Sequence, residues 1–219
     1  MDILLLIPVL LLSIIVHEVA HAWVALREGD DTAWRLGRIT LNPLPHIDLI
    51  GSILVPLGLY FMNAGFLFGW AKPVPVNPRK YHNYRGGDIR VSLAGIAANL
   101  ILAAGFTLLA ALLVKTAQVS GGALAGPIDV AVRIAELGIL INLVLAFFNL
   151  VPIPPLDGSH VLYHLLPTRL GVAYRRLGRY GMLILLAVFF LFPGPFFSIV
   201  LAPVRFFMGA AQDFIDLWL

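Results

Sequence analysis

Long apolar runs alternate along the chain with short polar segments that carry most of its charge. Four of the runs, Ile3 to Leu26, Ile89 to Val114, Leu137 to Ile153 and Tyr180 to Val204, are each near the ~20 residues that a helix needs to cross bilayer hydrocarbon. A fifth, Leu49 to Trp70, is interrupted by Pro56, Gly58, Asn63, Gly65 and Gly69, which suit a segment that dips in and returns or lies along the interface. Gly37 to Leu41 has β-former character, and Pro73, Pro75 and Pro78 keep Trp70 to Pro78 out of regular helix, favouring an edge strand or polyproline stretch. In the tail from Arg205 to Leu219, Phe206, Phe207, Ala210, Phe214 and Leu217 share one helical face, as in a helix lying in the interface. The pattern predicts an all-α polytopic membrane protein with four transmembrane helices, a re-entrant or interfacial segment and a short membrane-associated β element.

Composition agrees with the bilayer as solvent. Sixty per cent of the 219 residues are hydrophobic and 12% are charged, and the mean hydropathy is +0.92. A soluble domain of this size does not need so much apolar surface. The basic residues flank the apolar runs without an aromatic-basic patch, so they are read as topology signals and no nucleic-acid partner is expected. With no cysteine, a metal could be held only by nitrogen and oxygen ligands. The N-terminus lacks a basic leader and carries polar residues inside its apolar run, which argues against a cleaved signal peptide.

Those polar residues are His17, Glu18 and His21, in the run His-Glu-Val-Ala-His. On a helix, positions i and i+4 share a face, so both imidazoles can meet one metal ion while Glu18 reaches a water beside it. Ionisable side chains at membrane depth are costly and are functional candidates by default. A catalytic zinc usually takes a third protein ligand. The candidate is Asp157, which ends the stretch Asn149 to Gly158 behind three prolines, Pro152, Pro154 and Pro155. Broken backbone of this kind is tolerated at membrane depth beside an enclosed polar cavity; the competing reading makes Asp157 a helix cap. His160 and His164 follow on the same face, where hydrogen bonding around the site is favoured over direct ligation. His46 and Asp48 read as a loop or gating element of open function, and His82 as part of a basic interfacial loop.

The set of motifs resembles the site-2 protease family of intramembrane metalloproteases, in the short form without a PDZ domain. His17 to His21 match the family's metal-binding helix, and Asn149 to Gly158 match its second signature. Ser92 to Asn99 resemble, more weakly, its Gly-x-x-x-Asn segment, with Ile96 where many relatives have proline. The resemblance implies one zinc ion per chain held by His17, His21 and Asp157. It also implies Glu18 as general base and acid, and Asn149 as a residue that positions substrate or stabilises the oxyanion. Interhelical hydrogen bonding is the plainer role for Asn149. The implied activity is hydrolysis of peptide bonds in single-span membrane proteins or leftover signal peptides. One integral-membrane domain, 1–219, is expected, with the catalytic core over about 3–166 and the last span and interfacial tail over 167–219.

For the two half-sites to share an ion, their helices must run in the same direction, with an even number of crossings between their exits. A dipping fifth segment satisfies this, and places twelve of the fifteen basic residues on one side against Lys115, Arg133 and Arg205 on the other. A full crossing would move Arg27, Arg35 and Arg38 and leave nine against six. The positive-inside bias therefore puts the N-terminus outside and the site near the cytoplasmic face. His21 would lie six residues, about 9 Å of helix, below Arg27. Two rival functions are weighed: a metal-ion transporter, which lacks ionisable residues through the middle of the last span, and an inactive protease-like scaffold, against which every proposed site residue is present.

Overall fold

A computed structural model describes residues 3–62, 70–119 and 125–218. Helix α1 (Ile3–Arg27) is followed by the single turn α2 (Thr32–Arg35) and, after a loop and a π-helical stretch over Leu49–Leu54, by the short α3 (Val55–Phe61). Two long helices come next, α4 (Tyr84–Val119) and α5 (Ala125–Asn149), then α6 (Asp157–Leu165), α7 (Thr168–Leu177), α8 (Gly181–Leu191) and α9 (Pro193–Asp216). Four of these are long and apolar enough to cross a membrane: α1, α4, α5 and α9. The chain is an integral, multi-pass membrane protein.

In lipid the hydrophobic effect does not drive helices together, so close approach rests on small residues and buried polar contacts. Ala103, Ala110 and Ala111 of α4 meet Ala135, Ile139 and Leu143 of α5, and Val204, Ala211 and Ile215 of α9 close the same cluster. Ala22 and Ala25 of α1 are fully buried where the loops and α4 cover its end. Helices α1 and α5 run in the same direction, since Ser13 meets Asn142 while the exits of both helices meet at His17, His21 and Asp157. Helix α4 runs the other way between them, with Asn99 beside Ser13 and Val91 beside His21.

Three expectations change. The last span is α9, 193–216, rather than Tyr180 to Val204. Pro193 opens a new helix after Leu191, a position that suits proline because its missing N–H has no intrahelical partner there. The tail is therefore the second half of that span: Ala211 and Ile215 pack into the bundle, while Phe206 and Phe207 stay exposed and Arg205 lies inside the helix. The β element is not found among the described residues. Gly37 turns the chain at φ +64°, and the prolines of 70–78 leave too few N–H groups for a ladder, so this strap is held by side chains and isolated backbone contacts instead. The re-entrant segment also gains no support. Leu49–Phe61 is helical, and its start is tied to the strap, with the Trp70 N–H donating to the Gly51 carbonyl at 3.1 Å. Asn63, Gly65 and Gly69 lie outside the described residues.

Candidate metal centre

His17 and His21 lie one turn apart on α1, and Asp157 is the first residue of α6. The prolines after Asn149 stop α5 and turn the chain back, so that α6 begins against the end of α5. Gly158 permits this approach, because a Cβ there would collide with the Leu150 carbonyl oxygen. Gly95 does the same for α4: its Cβ would sit 2.5 Å from both the His17 Cε1 and the His21 Nε2.

The three donor atoms form a small triangle. The two Nε2 atoms are 3.0 Å apart, and Asp157 Oδ2 is 3.1 Å from that of His17 and 3.3 Å from that of His21. A tetrahedral ion with bonds of about 2.0–2.1 Å holds its donors roughly 3.3 Å apart. The proton positions follow from the surroundings. Asn99 donates its amide nitrogen to Asn142 Oδ1 (2.7 Å) and the Ser13 carbonyl (3.3 Å), so its Oδ1 faces His17 Nδ1 at 2.5 Å and must accept. His21 Nδ1 faces the Val91 carbonyl at 2.7 Å, which can only accept. Both imidazoles therefore carry a proton on Nδ1 and direct Nε2 towards one buried carboxylate oxygen, Asp157 Oδ2. With Nδ1 engaged on both rings, the two Nε2 atoms and the carboxylate oxygen are the atoms free to converge on one cation. The donor set, two imidazoles whose Nδ1 atoms are held by Asn99 and the Val91 carbonyl and one carboxylate, fits zinc.

The acid between the histidines is also placed. Glu18 Oε2 accepts from the Val74 N–H at 2.7 Å. Val74 lies between Pro73 and Pro75, so it supplies the single backbone donor of that tripeptide. The strap is tied down around it: Arg38 donates to the Lys72 carbonyl (2.9 Å), the Lys72 N–H to the His46 carbonyl (2.9 Å), Ser52 to the Trp70 carbonyl (2.8 Å), and the Asn77 N–H to the fully buried Asp30 (2.5 Å). His46 is thus a buried loop anchor.

Asn149 is placed differently, for its side-chain amide donates back to the Leu145 carbonyl of its own helix at 3.0 Å. His160 and His164 point to Asp88. Sequence reasoning missed Ser13 and Asn142, which lock Asn99. An Asn inside an apolar run was the available signal.

The pattern that defines Peptidase family M50 matches residues 5–193. The chain is also 39% identical, over 207 residues covering 94% of its length and 86% of the relative's, to a protein of Bacillus subtilis (strain 168) named "Putative zinc metalloprotease YwhC". No solved structure matches it. A largely buried His-His-Asp triangle among apolar helices, a family pattern covering most of the chain and a relative similar over nearly its whole length agree: the chain belongs to peptidase family M50, the site-2 protease family, and is a membrane metalloprotease.

Proposed function

We propose that the protein is an intramembrane zinc endopeptidase that holds one ion per chain at His17, His21 and Asp157 and uses Glu18 as general base and then general acid. The observation that carries this reading is the triangle of two imidazole nitrogens and a carboxylate oxygen within 3.3 Å of one another, with Glu18 one residue from the first. Zinc, when bound, supplies Lewis acidity that makes water a nucleophile near neutral pH and polarises a carbonyl. Glu18 takes the proton from the attacking water and returns it to the leaving amine, so no acyl-enzyme is needed. The Val74 N–H holds Oε2 of that carboxylate at 2.7 Å and so restrains the Glu18 side chain. Asn149 enters as a substrate-positioning residue whose bond to the Leu145 carbonyl uses one of its two amide N–H groups.

Single-span membrane proteins or remnant signal peptides are the proposed substrates. A spanning helix hides its carbonyls in its own hydrogen bonds and has to unwind before cleavage. The depth of His21 below Arg27, about 9 Å, supports cleavage within reach of water near one face. The twelve basic residues around that end support placing it in the cytoplasm.

Wild-type protein and the Glu18→Gln variant, purified in detergent, would be assayed for bound zinc and for cleavage of an unstructured reporter and a panel of single-span substrates. Zinc in both with cleavage by wild type alone is the expected result. A zinc-free wild type that still cleaved would sink the mechanism.

A further inference from the structure

We propose that Asp88 is a positioning residue for the metal centre: gripped by His160 and His164, it fastens α6 to α4 and so sets Asp157 against the histidine pair of α1. The proposal rests on the zinc reading above.

The three ligands come from two pieces of chain with different means of support. His17 and His21 are fixed to each other by a long helix. Asp157 opens a helix of nine residues behind a proline-broken loop, and helices shorter than ~12–15 residues do not hold their form alone. Something outside α6 has to fix its rotation and height. Asp88 Oδ2 accepts from His164 Nε2 at 2.7 Å and lies 3.4 Å from His160 Nδ1. Asp88 is 5% and His164 8% exposed, so their contact is shielded from competing water, whereas the His160 side chain is 53% exposed and makes the weaker half of the grip. His164 is further enclosed by the rings of Tyr163 (4.6 Å) and Tyr84 (5.4 Å), and Arg175 donates to the Tyr84 hydroxyl at 2.6 Å.

The position of Asp88 in the sequence of α4 gives this contact its meaning. Asp88, Val91, Gly95 and Asn99 fall at i, i+3, i+7 and i+11, which is one stripe of a helix. Val91 and Asn99 set the rings of His21 and His17, and Gly95 admits them. Asp88 continues the same stripe to the piece that carries the third ligand. One face of α4 therefore registers both halves of the centre, and a shift of α6 would move Asp157 Oδ2 away from two Nε2 atoms that stay where they are.

The test uses full-length wild type, Asp88→Ala, His164→Leu, His164→Gln and Glu28→Gln in detergent, measuring zinc per chain, the chelator concentration that removes half of it, and the melting temperature. Glu28→Gln is the structural control, because it breaks the pair of Glu28 with Arg90 of α4 (2.6 Å) without touching α6. Asp88→Ala and His164→Leu are expected to give up zinc at roughly 10–100-fold lower chelator concentration, the usual cost of losing support around metal ligands. His164→Gln, whose amide nitrogen can take the place of Nε2, should recover most of the loss, and Glu28→Gln should keep its zinc. Zinc retention in Asp88→Ala equal to wild type would overturn the clasp alone. So would a His164→Gln no better than His164→Leu, or a second zinc per chain lost on mutating His160. A zinc-free wild type would overturn the metal reading and the clasp with it. If Asp88→Ala does not fold, the two His164 variants decide the matter by themselves.

Discussion

Two histidine pairs share the i, i+4 spacing, one on α1 facing Asp157 and one on α6, the helix that Asp157 opens, and they do opposite things. On α1, His17 and His21 donate from Nδ1 to Asn99 and to the Val91 carbonyl, which leaves two Nε2 atoms 3.0 Å apart to face Asp157. On α6, His160 and His164 point ring nitrogens at one oxygen of Asp88. The spacing puts two imidazoles on one face of a helix in both cases. What meets the other ring nitrogen decides whether they serve as metal ligands or as donors.

Removing one member of each pair should separate them most sharply. His17→Ala is expected to abolish bound zinc and cleavage together, whereas His160→Ala should retain close to the wild-type zinc content, both read by elemental analysis of purified protein. Gly95→Ala comes next. Its new Cβ would press on both rings at 2.5 Å, and zinc affinity should fall by more than tenfold although no ligand has changed; an unaffected affinity would mean that α4 yields at that point.

Asn99→Ala removes the acceptor that fixes the His17 tautomer and should weaken zinc roughly 10–100-fold in a chelator competition. A smaller effect is expected at the acid beside the first pair. Val74→Pro deletes the N–H that holds Glu18 and should lower kcat several-fold with zinc unchanged, while Val74→Ala keeps the donor and should behave as wild type. The smallest effect lies outside both pairs. The Arg90 guanidinium holds the Glu28 carboxyl below its ordinary 4.5. The resulting stability is present above that value and fades as the pH falls through the lower, folded-state value. Solvent screens the exposed Arg90 end of the pair, so the contribution should be small, seen as a slightly steeper acid-side loss of melting temperature in wild type than in Glu28→Gln.

Much of this was readable in one dimension where a short periodic pattern carried it. His17, Glu18 and His21 announce a ligand face because i and i+4 coincide on any helix. Asp157 was reachable because three prolines before it end a span where backbone polar groups need a cavity. The strap was not readable, since prolines state only what the backbone cannot do, and its anchors, Asp30, Arg38 and Ser52, sit in separate segments. Nor was the last span. Tyr180 to Val204 is apolar throughout, so hydropathy could not show that Pro193 divides it and that Ala211 and Ile215 continue inward.

By itself the sequence determined the solvent, the number of long apolar helices, the two motif-bearing pieces and their parallel run, because hydropathy and helical periodicity are local properties. The tertiary structure decided which acceptor each Nδ1 of the α1 pair meets, which carboxylate each histidine pair faces and which amide holds Glu18. Those outcomes depend on Asn99, Asn142, Ser13, Asp88 and Val74, residues far from the motifs along the chain, and only helix packing sets the hydrogen-bond partners that fix a proton or an acceptor in place.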